Sequence, residues 1–167
     1  MSAASAPPQE IDRRTQARLA AVQALYQVEL GESDPGTVLL DFLQNRLNED
    51  MEGLKIGRVD RTLFGGIVHG VPGRRRELDD MISAVLDPDW PLDRLETVLR
   101  IILECGAYEL AETDDTPVGA IINEYVELGR AFFDGGEPGL VNGVLDRLAR
   151  TLRPEAARGG DAAEDFA

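Results

Sequence analysis

The chain has one cysteine, one histidine and one tryptophan in 167 residues, and aromatics make up only 5% of it. A lone thiol, Cys105, closes no internal disulfide, and one Cys with one His cannot assemble a metal cluster. Long apolar runs are missing too. The longest, such as Leu19 to Val22, reach about four residues, against the roughly 20 that a helix needs to cross a bilayer. No opening stretch pairs a basic region with an apolar run of the kind that directs secretion, so the expected compartment is the cytoplasm. Cations are scarce: 17 Lys and Arg stand against 31 Asp and Glu, for a net charge of −14. The average surface therefore repels phosphate at long range, which excludes indiscriminate nucleic-acid binding. Acidity alone signals solubility as readily as it signals a partner.

The same scarcity removes most catalytic chemistry. There is no Gly-x-x-x-x-Gly-Lys or Gly-x-Gly-x-x-Gly phosphate cradle, and no nucleophile with an obvious base. His69 lies among Ile67, Val68 and Val71 and reads as an ordinary helix histidine, while Cys105, between Glu104 and Gly106, reads as a small packed apolar residue. The pairs Asp79-Asp80 and Asp114-Asp115 read as solvated faces in so acidic a chain. No catalytic residue, cofactor or metal ion is expected, and the chain reads as a binding protein.

What is present is helical periodicity. At 18.2 kDa the chain fits one domain, burying roughly 70% of the surface it exposes when unfolded. Apolar residues recur at steps of three and four and scarcely alternate, which predicts an all-α fold of six or seven helices. The first helix is expected from about Gln9 to Leu30, with Ile11, Leu19, Val22, Leu25, Tyr26 and Leu30 near one stripe and Gly31 as its stop. Ser33-Asp34-Pro35 should cap a second that turns Leu39, Phe42, Leu43 and Leu47 inward. A third segment runs from Leu63 through Val71 to Leu86 and should kink or split at Pro72-Gly73. The stretch from Leu92 to about Glu112 is apolar nearly all round and suits a central helix. Thr116-Pro117 and Pro138 should open the last two. Residues 1–8 and 154–167, small, Pro-containing or acidic, are expected to be disordered tails around a domain of residues 9–153.

Against the acidic background, residues 13–18 read Arg-Arg-Thr-Gln-Ala-Arg, with three arginines and no acid. Arg14 and Arg18 are four apart and share one flank of the first helix. Such forks suit phosphate oxygens and stack on bases, though a solvated face balanced by Glu10 and Asp12 has the same spelling. Arg74-Arg75-Arg76 forms a second cluster whose side chains must point in different directions. Trp90, between Pro88 and Pro91, either stacks on a base or, the preferred reading, packs to lock two lobes together.

The segment RRTQARLAAVQALYQVEL (residues 13–30) resembles the opening helix of the NusB family, and GAYEL (106–110), TPVGAIINEYVELGRAFF (116–133) and VNGVLDRLAR (141–150) resemble that family's later motifs in the same order. The resemblance implies two three-helix lobes without enzymatic activity. It implies a transcription antitermination factor that binds the boxA element of ribosomal RNA transcripts together with NusE, a small-subunit ribosomal protein, at the transcription elongation complex. Carried over by position, RNA contacts fall on Arg13, Arg14, Arg18 and Asn142, and Tyr26 is the candidate for the partner face. A basic partner would complete the surface that a chain at −14 lacks. Thr15 and Gln16 stand where relatives often carry arginine, Glu104 stands where many carry arginine, with Arg100 one turn earlier, and the turn 134–140 departs from the family pattern. Two other readings compete: a protein-only helical interaction module, monomer or homodimer, and the NusB-like module of ribosomal-RNA cytosine methyltransferases, for whose cofactor-binding domain the chain leaves no room before Ala167.

Overall fold

The computed structural model describes residues 9–31, 34–42, 44, 50–51, 54–55 and 59–154. The expected tails at 1–8 and 154–167, apart from Pro154, together with Leu43, Leu47 and the side chain of Ile11, lie outside the described residues. Six α-helices run through the rest: α1 (Gln9–Gly31), α2 (Pro35–Asp41), α3 (Arg61–Val85), α4 (Thr97–Glu112), α5 (Val118–Phe132) and α6 (Glu137–Leu152). A 3-10 turn at Leu92–Arg94 precedes α4. The sequence pattern gives no hint of the β structure seen among the described residues, an antiparallel ribbon of two residues per strand, β1 (Asp50–Met51) and β2 (Leu54–Lys55). The fold is all-α, with two compact units, 1–72 and 73–167, whose boundary falls inside α3.

In the first unit, α2 begins as its sequence dictates. Asp34 is the cap, its Oδ2 accepting from Thr37 N at 3.2 Å, and Pro35 occupies the first turn, where its missing N–H costs nothing. Val38 and Phe42 point inward, and the Phe42 ring meets Phe64 of α3 at a centroid distance of 5.8 Å. The inward face of α1 differs from the expected stripe. Ala17, Ala20, Ala21 and Ala24 are buried with Val22 and Leu25, whereas Tyr26 and Leu30 are exposed. Bulk misleads here, because a stripe of methyl groups permits a closer approach than one of large side chains and so fills a tightly packed interior.

Pro72 does not split α3, which runs unbroken for 25 residues. Proline removes one backbone bond and crowds the preceding turn, at a cost of about 3 kcal/mol. Ile67, Val68, Val71, Leu78 and Ile82, all fully buried, outweigh it.

In the second unit, α4 is buried continuously from Ile101 to Ala107, as a helix touched on every side must be. It packs against α5 and α6. A Cβ on Gly106 would sit 2.7 Å from Leu145 Cδ1, so a larger residue here would push the Leu145 side chain of α6 aside. Arg153, just past α6, donates to the carbonyls of Glu109 and Leu110 at 3.1 and 2.9 Å, to Thr116 O at 2.7 Å and to Thr113 Oγ1 at 3.1 Å. A guanidinium thus satisfies orphan carbonyls at the end of α4 and fixes the turn that starts α5.

Candidate nucleic-acid interface

The site begins with the way α1 is anchored. Asp60 precedes α3 as its cap, its Oδ1 accepting from Leu63 N at 2.9 Å. The same residue reaches α1: its backbone N donates to Arg13 O at 3.2 Å, and its Oδ2 lies 3.9 Å from Arg14 Nε. One aspartate therefore starts one helix and holds the first turns of another. Sequence reasoning missed it, although an aspartate three residues before Leu63 is a legible cap.

With α1 held there, Arg13 and Arg14 are exposed. Arg18 is not: it is only 3% exposed and lies among the alanines of the inward face. The expected flank of Arg14 and Arg18 is therefore not an open one. Tyr26, farther along α1, is 36% exposed, and Leu30 and Leu40 are more open still.

In the second unit, Asn142 is exposed on α6 and borders a groove of about 510 Å³ that Asn123, Ile122, Val126 and Arg130 of α5 line from the other side. The helices come together at its end, where a Cβ on Gly129 would lie 3.4 Å from Pro138 Cα. Two amides and a guanidinium over an apolar floor offer both hydrogen-bond edges and a stacking surface. Arg130 also forms an ion pair with Glu127 at 2.6 Å.

The second arginine cluster has a different fate. Arg74 forks onto Glu77 at 2.9 and 3.1 Å and also pairs with Glu112. Arg75 Nε donates to Glu104 at 3.2 Å, and Arg76 is exposed. Glu104 itself has no exposed surface, and Arg100 joins it at 3.2 Å. Burial pushes the Glu104 carboxyl up to about 8, with a hydrogen bond to Asp79 acting in the same direction and the charges of Arg75 and Arg100 opposing it. Glu109, also fully buried, accepts a hydrogen bond from the Tyr125 hydroxyl. Cys105 is buried and burial raises its thiol well above the usual range, which leaves it inert. His69 is exposed on α3. Trp90 is 60% exposed, so the expectation that it packs away is not met. Its loop, bounded by prolines, holds the indole outward. Among the described residues no group of His, Cys, Asp and Glu could hold a metal ion, and no helix is long and apolar enough to cross a membrane.

The profile of the NusB family matches residues 15–150. The transcription antitermination protein NusB of Sinorhizobium fredii is 44% identical over 149 residues, covering 89% of this chain and 93% of that protein. Its counterpart in Agrobacterium fabrum is 43% identical, covering 88% and 89%. Among solved structures, T. maritima NusB superposes with a TM-score of 0.67 at 27% identity, over 90% of this chain and 96% of that one. A crystal structure of the antitermination factors NusB and NusE in complex with dsRNA shares the fold, with a TM-score of 0.65 at 22% identity, over 82% and 96%.

Proposed function

Because the chain belongs to the NusB family, we propose that it is a transcription antitermination factor that binds boxA RNA of ribosomal RNA transcripts together with NusE, in the cytoplasm and at the transcription elongation complex. The observation that carries this reading is the exposed pair Arg13 and Arg14, in a stretch without acids on a chain of net charge −14. Placed on phosphates, two guanidiniums give salt-sensitive but weak binding, and the partner supplies the rest of the affinity by linkage. Direct contacts from α1 fall to Arg13 and Arg14, while Arg18, buried at 3% exposure, takes part by holding that turn. Asn142 reads a base edge or the backbone from the α5–α6 groove, and Tyr26 belongs to the NusE face. The RNA-binding domain spans residues 9–153. That a NusB of the same fold is held with NusE and dsRNA supports this choice of partners.

The test is a titration of labelled boxA RNA with the protein, alone and premixed with NusE, at two salt concentrations. Binding that NusE strengthens and salt weakens is the expected result. RNA left unbound in both cases overturns the reading. A protein-only module, as monomer or homodimer, then takes its place, favoured by the exposed Tyr26, Leu30 and Leu40 of the first unit.

A further inference from the structure

The second unit buries an acid in a way its ion pairs do not fully explain. Glu104 has no exposed surface, and its Oε2 accepts from Arg75 Nε and Arg100 Nη1, each at 3.2 Å. Asp79 of α3 stands beside it. Asp79 Oδ1 is buried and has no donor among the described residues. Asp79 lies one turn after Arg75 on α3 and shares a cleft with Arg100, and these two arginines hold Glu104. A second carboxylate here, with a buried oxygen that has no donor among the described residues, is a costly arrangement unless a proton lies between the two, because a buried acceptor without a partner loses its hydration with nothing in return. A carboxylic acid on one side turns the repulsion into an O–H donor for the orphan oxygen.

We infer that Glu104 and Asp79 hold one proton between them in the folded protein, and that this proton is a pH-sensitive latch joining α3 to α4. The cleft beside the pair makes the proton exchangeable: Asp79 and Arg100 both line an opening of about 850 Å³ walled by Leu86, Pro91, Leu92 and Leu95. The charges that act on Glu104 are Arg75 and Asp79 from α3 and Arg100 from its own helix; among the described residues none from α5 or α6 does. The arginines favour the ionised form, but their side chains are 27% and 17% exposed, so water weakens their pull, whereas Glu104 is fully enclosed. That balance leaves the carboxyl raised.

The direction of the pH effect follows. Between the ordinary glutamate range and about 8 the folded chain holds a proton at this pair that the unfolded chain has released. Stability from the latch is therefore complete at acid pH and is lost as pH rises through that window. It changes no further once both states are ionised.

Two measurements test this on the full chain. In the first, carbon-13 NMR follows the glutamate carboxyls of the wild-type protein with pH. One resonance, missing in Glu104→Gln, should titrate far above the others, and Asp79→Asn should lower its midpoint. If Glu104→Gln does not fold, the shift caused by Asp79→Asn identifies the resonance. In the second, denaturant unfolding is compared across pH 5.5 to 7.5: the folding constant of the wild type should fall about tenfold per pH unit relative to Glu104→Gln, the mark of one proton. A spectrum in which every glutamate titrates in the ordinary carboxylate range overturns the inference, as do parallel pH profiles of the two proteins.

Discussion

The chain carries two arginine clusters that look alike on paper and end in opposite situations. Residues 13–18 contribute three arginines at the start of α1, and residues 74–76 contribute three in the middle of α3. In the first cluster two stay exposed, with Arg14 loosely tied to Asp60 at 3.9 Å. In the second, Arg74 and Arg75 are committed to carboxylates of their own helix and of α4. The difference does not lie in the arginines. It lies in the acids the fold brings to them, and those acids are 3, 29 and 38 residues away in sequence. What a cluster of cations can offer a ligand depends on how closely the fold sets acids against it: Asp60 lies 3.9 Å from Arg14, whereas Glu77 and Glu104 stand within hydrogen-bond distance of Arg74 and Arg75.

Substitutions can sharpen or break this contrast. The largest loss is expected for Arg75→Ala, which takes one of two arginine donors from the buried Glu104 and leaves only Arg100; a destabilisation of about 3 kcal/mol by chemical denaturation is anticipated, the upper end for a hydrogen bond to a charged group. Gly106→Ala comes next. It forces Leu145 to move, and a loss of about 2 kcal/mol should lower the thermal midpoint. Asp60→Ala removes a helix cap and the anchor of α1; about 1 kcal/mol is expected, along with weaker RNA binding than its modest effect on stability suggests. Arg76→Ala, at an exposed position, should change stability by no more than about 0.5 kcal/mol. If Arg75→Ala proved as mild as Arg76→Ala, the structural role assigned to the second cluster would be wrong.

Much of this architecture is legible in the sequence, for identifiable reasons. The starts of α2, α5 and α6 are marked by Asp34-Pro35, Pro117 and Pro138, because capping and proline geometry are local properties. The central position of α4 is legible as well, since no polar face is left from Ile101 to Leu103 and from Cys105 to Ala107. What escapes is decided by contact at a distance. Glu104 and Glu109 look like the polar edge of that helix, yet both are fully buried, one against arginines and the other against Tyr125. Arg18 looks like part of an open grip, yet the alanine stripe takes it inward. Pro72 looks like a break, yet flanking apolar residues hold α3 together across it. Of the residues the sequence singles out for binding, Arg13, Arg14, Asn142 and Tyr26 are exposed; in the first unit the anchoring by Asp60, and in the second the groove partners Asn123 and Arg130, appear only once the helices are assembled.

The contrast between the clusters is also the most direct route to function. Labelled boxA RNA, with NusE present, is titrated with Arg13→Ala/Arg14→Ala and with Arg76→Ala over a range of salt concentrations. The account expects the α1 variant to bind weakly and its salt dependence to fall by about 1.4 in log–log slope, the share of two phosphate contacts on a single strand, while Arg76→Ala binds as the wild type does. Equal binding by both variants, or a loss confined to Arg76→Ala, would contradict it.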